Sequence, residues 1–155
     1  MEFCHATLED VEKMVPLWES LMQFHIELDE SFVTCQHASE IWKEFVSNNI
    51  QNPDNKVVLI AKNEGNVVGY IMGEISERPP VYEKKIIGNI WDIYVSEESR
   101  GKKVGKGLYD MIEAWFKVRN VKRIELNVAT SNPQALEFWK NMGFDSYMAV
   151  EFKNL

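Results

Sequence analysis

Between residues 7 and 28 the chain places Val11, Met14, Val15, Trp18, Leu21, Met22, His25 and Leu28 at the three-to-four-residue spacing of one helical face. Thr7, with Asp10 three residues on, reads as the N-cap of that helix. Pro16 predicts a kink or break within it. A second helix is expected after Ser39, through Ile41, Trp42, Phe45 and Val46. The period then changes. VVLIA (Val57 to Ala61) and VVGYIMGEI (Val67 to Ile75) read as strands joined by the turn-forming NEGN, which predicts a hairpin. SERPPVYEKK is too rich in proline for regular structure, and IIGNIWDIYV (Ile86 to Val95) reads as an extended apolar strand.

Further on, Val104, Leu108, Met111, Ile112 and Trp115 share a helical face, and RIELNVA (Arg123 to Ala129) reads as a strand. Strand, loop, helix and strand in that order predict two parallel neighbouring strands. Ser131-Asn132-Pro133 opens a last helix, with Ala135, Phe138, Trp139 and Met142 on its apolar side and Gly143 at its end. YMAVEF (Tyr147 to Phe152) reads as a final strand. Together these elements predict an α/β fold with a mixed sheet and helices on both faces.

Composition narrows the function. The chain has 155 residues, 45% of them hydrophobic and 26% charged, which predicts one globular domain over residues 1–155. No apolar run is long enough for a bilayer span, and the N-terminus lacks the pattern of a signal peptide, so the expected location is cytoplasmic. Cys4 and Cys35 form no CxxC pair, and His5, His25 and His37 stand in no metal-binding spacing, so free thiols and no metal are expected. The net charge of −7 disfavours nucleic acid and suits a cationic partner.

The chemistry concentrates in SRGKKVGKG (Ser99 to Gly107), which packs three glycines and four cations between a strand and a helix. Such loops hold phosphates, because bare backbone approaches the anion and the helix N-terminus offers unpaired N–H groups and a positive dipole end. A nucleotide-hydrolysing P-loop does not fit, since Lys106 is followed by Gly107 rather than Ser or Thr. A dinucleotide fingerprint does not fit either, since Asp110 stands where its third glycine belongs.

Arg100-Gly101-Lys102-Lys103-Val104-Gly105-Lys106-Gly107 resembles motif A of the GNAT family of N-acetyltransferases, with Lys102 a departure at its first core position. NPQALEFWKNMGF (Asn132 to Phe144) resembles the family's motif B, and the likeness extends over nearly the whole chain. The resemblance implies the acyl-CoA N-acyltransferase fold: a mixed, mostly antiparallel sheet with a central splayed parallel strand pair and helices on both faces. It implies acetyl-CoA as cosubstrate, with Arg100, Gly101, Lys102, Lys103, Val104, Gly105, Lys106 and Gly107 around the pyrophosphate. Ile93, Tyr94 and Val95 would pair with the pantetheine arm, and Asn132 and Trp139 would contact it. The reaction implied is acetyl transfer to a primary amine, on a small molecule or a protein. Asp92 is the first candidate for the base, ahead of Glu125 and Glu74; Tyr147 and Tyr94 are candidate acids. Trp139 stands where many relatives carry a tyrosine that protonates the leaving thiolate. That departure keeps a second class open, an acyl-CoA-binding sensor or interaction module without catalysis. The segment HIELDESF, with His25, Glu27, Asp29 and Glu30, is a candidate cation-binding rim for the acceptor. The resemblance also suggests a homodimer paired through YMAVEF.

Overall fold

The computed structural model describes residues 1–155. Its centre is a five-stranded sheet in the order β1-β2-β3-β4-β5, where β1 is Glu2–His5, β2 Lys56–Asn63, β3 Asn66–Glu77, β4 Ile86–Val95 and β5 Ile124–Leu126. The first four strands are antiparallel neighbours, and β5 lies parallel to β4 at the end of the sheet. The hairpin forms where NEGN predicts it. Glu64 and Gly65 both take positive φ (51° and 82°), which suits the right-handed twist of the two strands.

Strand β2 alternates between two cores. Val57, Leu59 and Ala61 join Ile71 and Ile90 beneath helix α3 (Val104–Val118) and helix α4 (Pro133–Asn141). Val58 and Ile60 join Tyr70 and Met72 beneath helix α1 (Val11–Leu28) and helix α2 (Ala38–Gln51). Both faces of the central strands are therefore covered, which is why VVLIA is apolar throughout rather than alternating with polar residues. Each Val, Leu, Ile and Met side chain among them contributes about 1.5–3 kcal/mol by leaving water.

Thr7 and Asp10 cap the approach to α1. One carboxylate oxygen of Asp10 accepts from the Thr7 N–H at 3.0 Å and its hydroxyl at 2.9 Å. The other meets Lys62 Nζ on β2 at 2.7 Å. Burial pushes the Asp10 carboxyl upward, but the hydrogen bonds from Lys62 and Thr7 outweigh it and hold it below its ordinary value. The cap thus ties helix to sheet.

Four expectations need correction. Pro16 does not break α1, which runs unbroken to Leu28. Helix α2 starts at Ala38, a residue before Ser39. Strand β5 keeps only three residues of RIELNVA. YMAVEF forms no strand: Tyr147, Met148, Val150 and Phe152 are exposed, at 56% to 88%. A strand requires a neighbouring edge to take its hydrogen bonds, and here the segment meets none. The parallel pair consequently lies at the edge of the sheet rather than at its centre.

Candidate functional site

The glycine-rich loop is pinned at its start and open at its end. The Ser96 N–H donates to the Val68 carbonyl at 2.9 Å, and a 3-10 turn over Glu97–Ser99 follows. Gly101 then takes φ 75° and Lys103 φ 63° before α3 begins at Val104. The backbone N–H groups of Gly101, Lys102, Lys103, Val104, Gly105 and Lys106 find no acceptor in the protein; pairing resumes when the Gly107 N–H donates to the Lys103 carbonyl at 3.0 Å. Six consecutive free donors at the positive end of a fifteen-residue helix suit an anion.

The cations around them differ in what they already hold. Arg100 donates from Nε to the Val95 carbonyl at 3.2 Å and lies 5.5 Å over the Tyr94 ring, with Glu97 at 3.6 Å. Lys106 pairs with Asp110 one turn on. Lys102 and Lys103 have no ion-pair partner. The glycines also divide. Gly101 is required by its left-handed φ. At Gly107 a Cβ would lie 2.3 Å from the Phe3 ring of β1, and at Gly105 it would lie 3.3 Å from Phe138 of α4. The bare backbone at Gly107 is therefore explained by packing against Phe3, which corrects the expectation that all three glycines leave room for a pyrophosphate.

Strand β4 changes character at Trp91. Its register with β3 passes from Gly73↔Ile90 to Met72↔Asp92, so Trp91 is the extra residue of a β-bulge. The parallel pairing with β5 ends at the same place, with Ile90↔Leu126. Beyond it, Trp91 to Val95 have no strand on one side, while the chain after Leu126 leaves the sheet. The two strands thus separate just before the loop, as the expected splay requires. The bulge also sets which side chains face where. Ile93 and Val95 join the core under α3, while Trp91 and Tyr94 pack with the core under α1 and α2. Asp92, opposite Met72, faces the same side as Trp91 and Tyr94.

Asp92 is partly buried, and its carboxylate accepts no hydrogen bond from the protein. Desolvation raises its carboxyl to a pKa of about 6. Its cross-strand diagonal neighbour Tyr70 is fully buried, with a hydroxyl that has no partner. Burial first, then the Asp92 charge, push that phenol well above its ordinary value. On the same face Phe45 of α2 packs at 5.3 Å from the Trp91 ring, forming a partly exposed aromatic rim. Sequence reasoning missed Tyr70, Trp91 and Phe45. Nothing in the sequence marks them: the inserted residue shows only in the structure, where Ile90 and Ile93, three apart in the strand, both enter the α3 core.

The other candidates lie elsewhere. Glu125 sits opposite Asn89, three residues before Asp92, or about 10 Å along the strand. Arg123 pairs with it and holds its carboxyl below the usual range, a poor setting for a base at neutral pH. The Tyr147 ring lies 4.6 Å from the same guanidinium, so Tyr147 belongs to this cluster. Trp139 is 6% exposed, edge-on to Phe138, Tyr109 and Phe144 at 4.9 to 5.9 Å. Its indole serves core packing. Asn132 caps α4, its Oδ1 accepting from the Ala135 N–H at 3.0 Å. In the acidic segment, Asp29 accepts from the Ser31 N–H at 2.8 Å, Glu27 from Gln23, and the His25 ring lies tilted 5.1 Å from that of Phe32. No helix is long and apolar enough to cross a membrane.

Comparison with known proteins matches this arrangement. An uncharacterised N-acetyltransferase of Methanocaldococcus jannaschii is 21% identical over 133 residues, 86% of this chain and 58% of that protein. The chain spans about half the length of the curated relatives it matches, 50% to 58%. A Bacillus halodurans protein, solved as a tetramutant, superposes over all of both chains with a TM-score of 0.90 at 20% identity. A predicted acetyltransferase of Clostridium acetobutylicum, solved with acetyl-CoA, superposes with a TM-score of 0.80 at 19% identity, over 99% of this chain and 95% of that one. The sequence profile of the Acetyltransferase (GNAT) family matches residues 17–144, and the chain belongs to that family.

Proposed function

We propose that the protein is an acetyl-CoA-dependent N-acetyltransferase acting on a primary amine. The run of six unpaired N–H groups from Gly101 to Lys106, beside the unpartnered edge of β4, carries this reading. Those donors, with Lys102 and Lys103, suit the pyrophosphate of coenzyme A. The free edge of Ile93, Tyr94 and Val95 suits the pantetheine amides, and the separation of β4 from β5 gives the arm a path through the sheet. The amine arrives from the face under α1 and α2, where Asp92 waits.

Asp92 takes the proton from the ammonium, directly or through water. Lysine-like ammonium has a pKa near ~10.4, so transfer to a carboxylate at about 6 is uphill by about 6 kcal/mol in water. The aromatic rim of Trp91 and Phe45 reduces that gap by desolvating the ammonium. The freed lone pair attacks the thioester carbonyl, whose developing oxyanion is met by a backbone N–H of Ile93 to Val95. The attacking nitrogen gives its second proton to water, and collapse breaks the carbon–sulfur bond to leave the amide. A thiol of pKa near ~8.5 leaves largely as thiolate, so the absence of a tyrosine at Trp139 does not block the step.

Thiol release from acetyl-CoA, followed over a panel of amines and peptides, tests the reading. Saturable, amine-dependent release supports it. Tight acetyl-CoA binding without release from any amine would replace it by the second reading, an acyl-CoA-binding module, which the burial of Trp139 favours.

A further inference from the structure

Asp92 does not stand alone on its face of the sheet. In a regular strand consecutive side chains point to opposite sides, but the bulge in β4 puts Trp91 and Asp92 on the same one, toward α1 and α2. An indole and a carboxylate are therefore neighbours, their Cα atoms about 3.8 Å apart. The Phe45 ring of α2 lies 5.3 Å from that indole and is 42% exposed. Ile41, one turn earlier on α2, is 58% exposed.

Helix α2 is apolar over more of its surface than the core uses. Its buried side is made by Trp42, Val46 and Asn49. Ile41 and Phe45 each precede one of these residues, so they stand about 100° round the helix from the core. Large apolar side chains scattered singly on a surface are ordinary. These form a strip instead, from Ile41 through Phe45 to Trp91, and it ends at Asp92. Apolar surface beside a carboxylate that accepts no hydrogen bond matches a molecule cationic at one end and apolar at the other. A dication would gain from Glu74, which stands opposite Asn89 on the same face, but would leave the strip uncovered.

We propose that Trp91, Phe45 and Ile41 select the acceptor, a primary amine with an aromatic ring or a comparable apolar group a few carbons from its nitrogen. The ammonium meets Asp92 and the apolar body covers the strip. This inference rests on the acetyltransferase reading of the same site and names its substrate class.

The test follows thiol release from saturating acetyl-CoA with 2-phenylethylamine, ethylamine and 1,4-diaminobutane, in the unaltered chain and in Phe45→Ala and Phe45→Leu. Phe45 lies on the helix surface, so both variants keep the core intact. The expected kcat/KM for 2-phenylethylamine exceeds that for 1,4-diaminobutane by about tenfold or more. In Phe45→Ala the ratio of 2-phenylethylamine to ethylamine falls about fivefold or more, chiefly through KM; taking the ratio cancels the difference in basicity between the two amines. Phe45→Leu keeps that ratio within about twofold, because an apolar contact needs surface rather than a π face. A phenylalanine-led tripeptide, set beside triglycine, shows whether the ring arrives on a small molecule or on a chain terminus, and a preference for either ring-bearing amine supports the proposal. Release that prefers 1,4-diaminobutane, or a ratio unchanged in Phe45→Ala, would overturn this inference and leave the acetyltransferase reading standing. A ratio that falls as far in Phe45→Leu as in Phe45→Ala would overturn it too, since the ring would then be serving the ammonium. No release from any amine would remove the acetyltransferase reading and this inference with it.

Discussion

The β2–β3 hairpin and the β4–β5 pair are built from similarly apolar sequence and do opposite work. The hairpin is paired from Lys56↔Glu74 to Asn63↔Asn66 and covered on both faces. The parallel pair meets at three positions and then separates at a bulge, leaving a strand edge, a carboxylate and a helix mouth without partners. A region whose backbone is paired along its length serves as scaffold. Unsatisfied groups of this kind are held open by what surrounds them, and that is where a substrate has something to gain.

The comparison is broken most sharply at Asp92. Asp92→Asn is expected to lower kcat/KM by 10²–10⁴ in the thiol-release assay, with the calorimetric Kd for acetyl-CoA changed by less than about twofold. In the unaltered protein kcat/KM should rise with pH and level off above about 6. Stability moves the other way. A carboxyl raised from 3.8 to about 6 in the folded state favours folding when protonated, and that contribution is lost as pH rises through about 6. Denaturant titrations should therefore find Asp92→Asn more stable than the parent at pH 8, by up to about 3 kcal/mol, and close to it at pH 4. Equal stability at both pH values would contradict the desolvated setting of Asp92.

Changes on the scaffold side should do the reverse. Ile71→Ala, at a fully buried position of β3, is expected to lose about 2–5 kcal/mol in denaturant unfolding while the folded fraction binds acetyl-CoA unchanged. At the junction of the two regions, Gly107→Ala drives a methyl into Phe3 and should lose about 1–3 kcal/mol. Phe3→Leu in that background should recover part of the loss, and failure to recover would deny the contact its role. The smallest effect belongs to the unpaired cations. Lys102→Gln and Lys103→Gln should each weaken acetyl-CoA several-fold at low salt, and calorimetry in 0.5 M salt should find the difference largely gone.

What was legible in the sequence follows the same division. Regions satisfied by local rules were readable: the Thr7–Asp10 cap, the NEGN turn, the helical faces of α1 and α3, and the glycine end of α4. Features set by distant partners were not. Nothing near Gly107 announces Phe3, more than a hundred residues earlier. The bulge at Trp91 is hidden because IIGNIWDIYV is apolar on both faces, so an inserted residue leaves no break in its pattern. YMAVEF has the composition of a strand, but composition does not supply an edge to pair with. Asp92 stood out only through its place beside the expected arm-binding residues; the desolvation that raises its pKa comes from elements far along the chain.

The central claim, that the mouth of α3 is an anion site built for coenzyme A, is tested most directly by following backbone amides of the ¹⁵N-labelled protein during titration with acetyl-CoA, and in parallel with ATP. The account predicts saturable acetyl-CoA binding in the micromolar range with the largest shifts at Gly101 to Lys106, and no comparable response to ATP. Acetyl-CoA binding that leaves those six amides unmoved, or no binding at all, would contradict it.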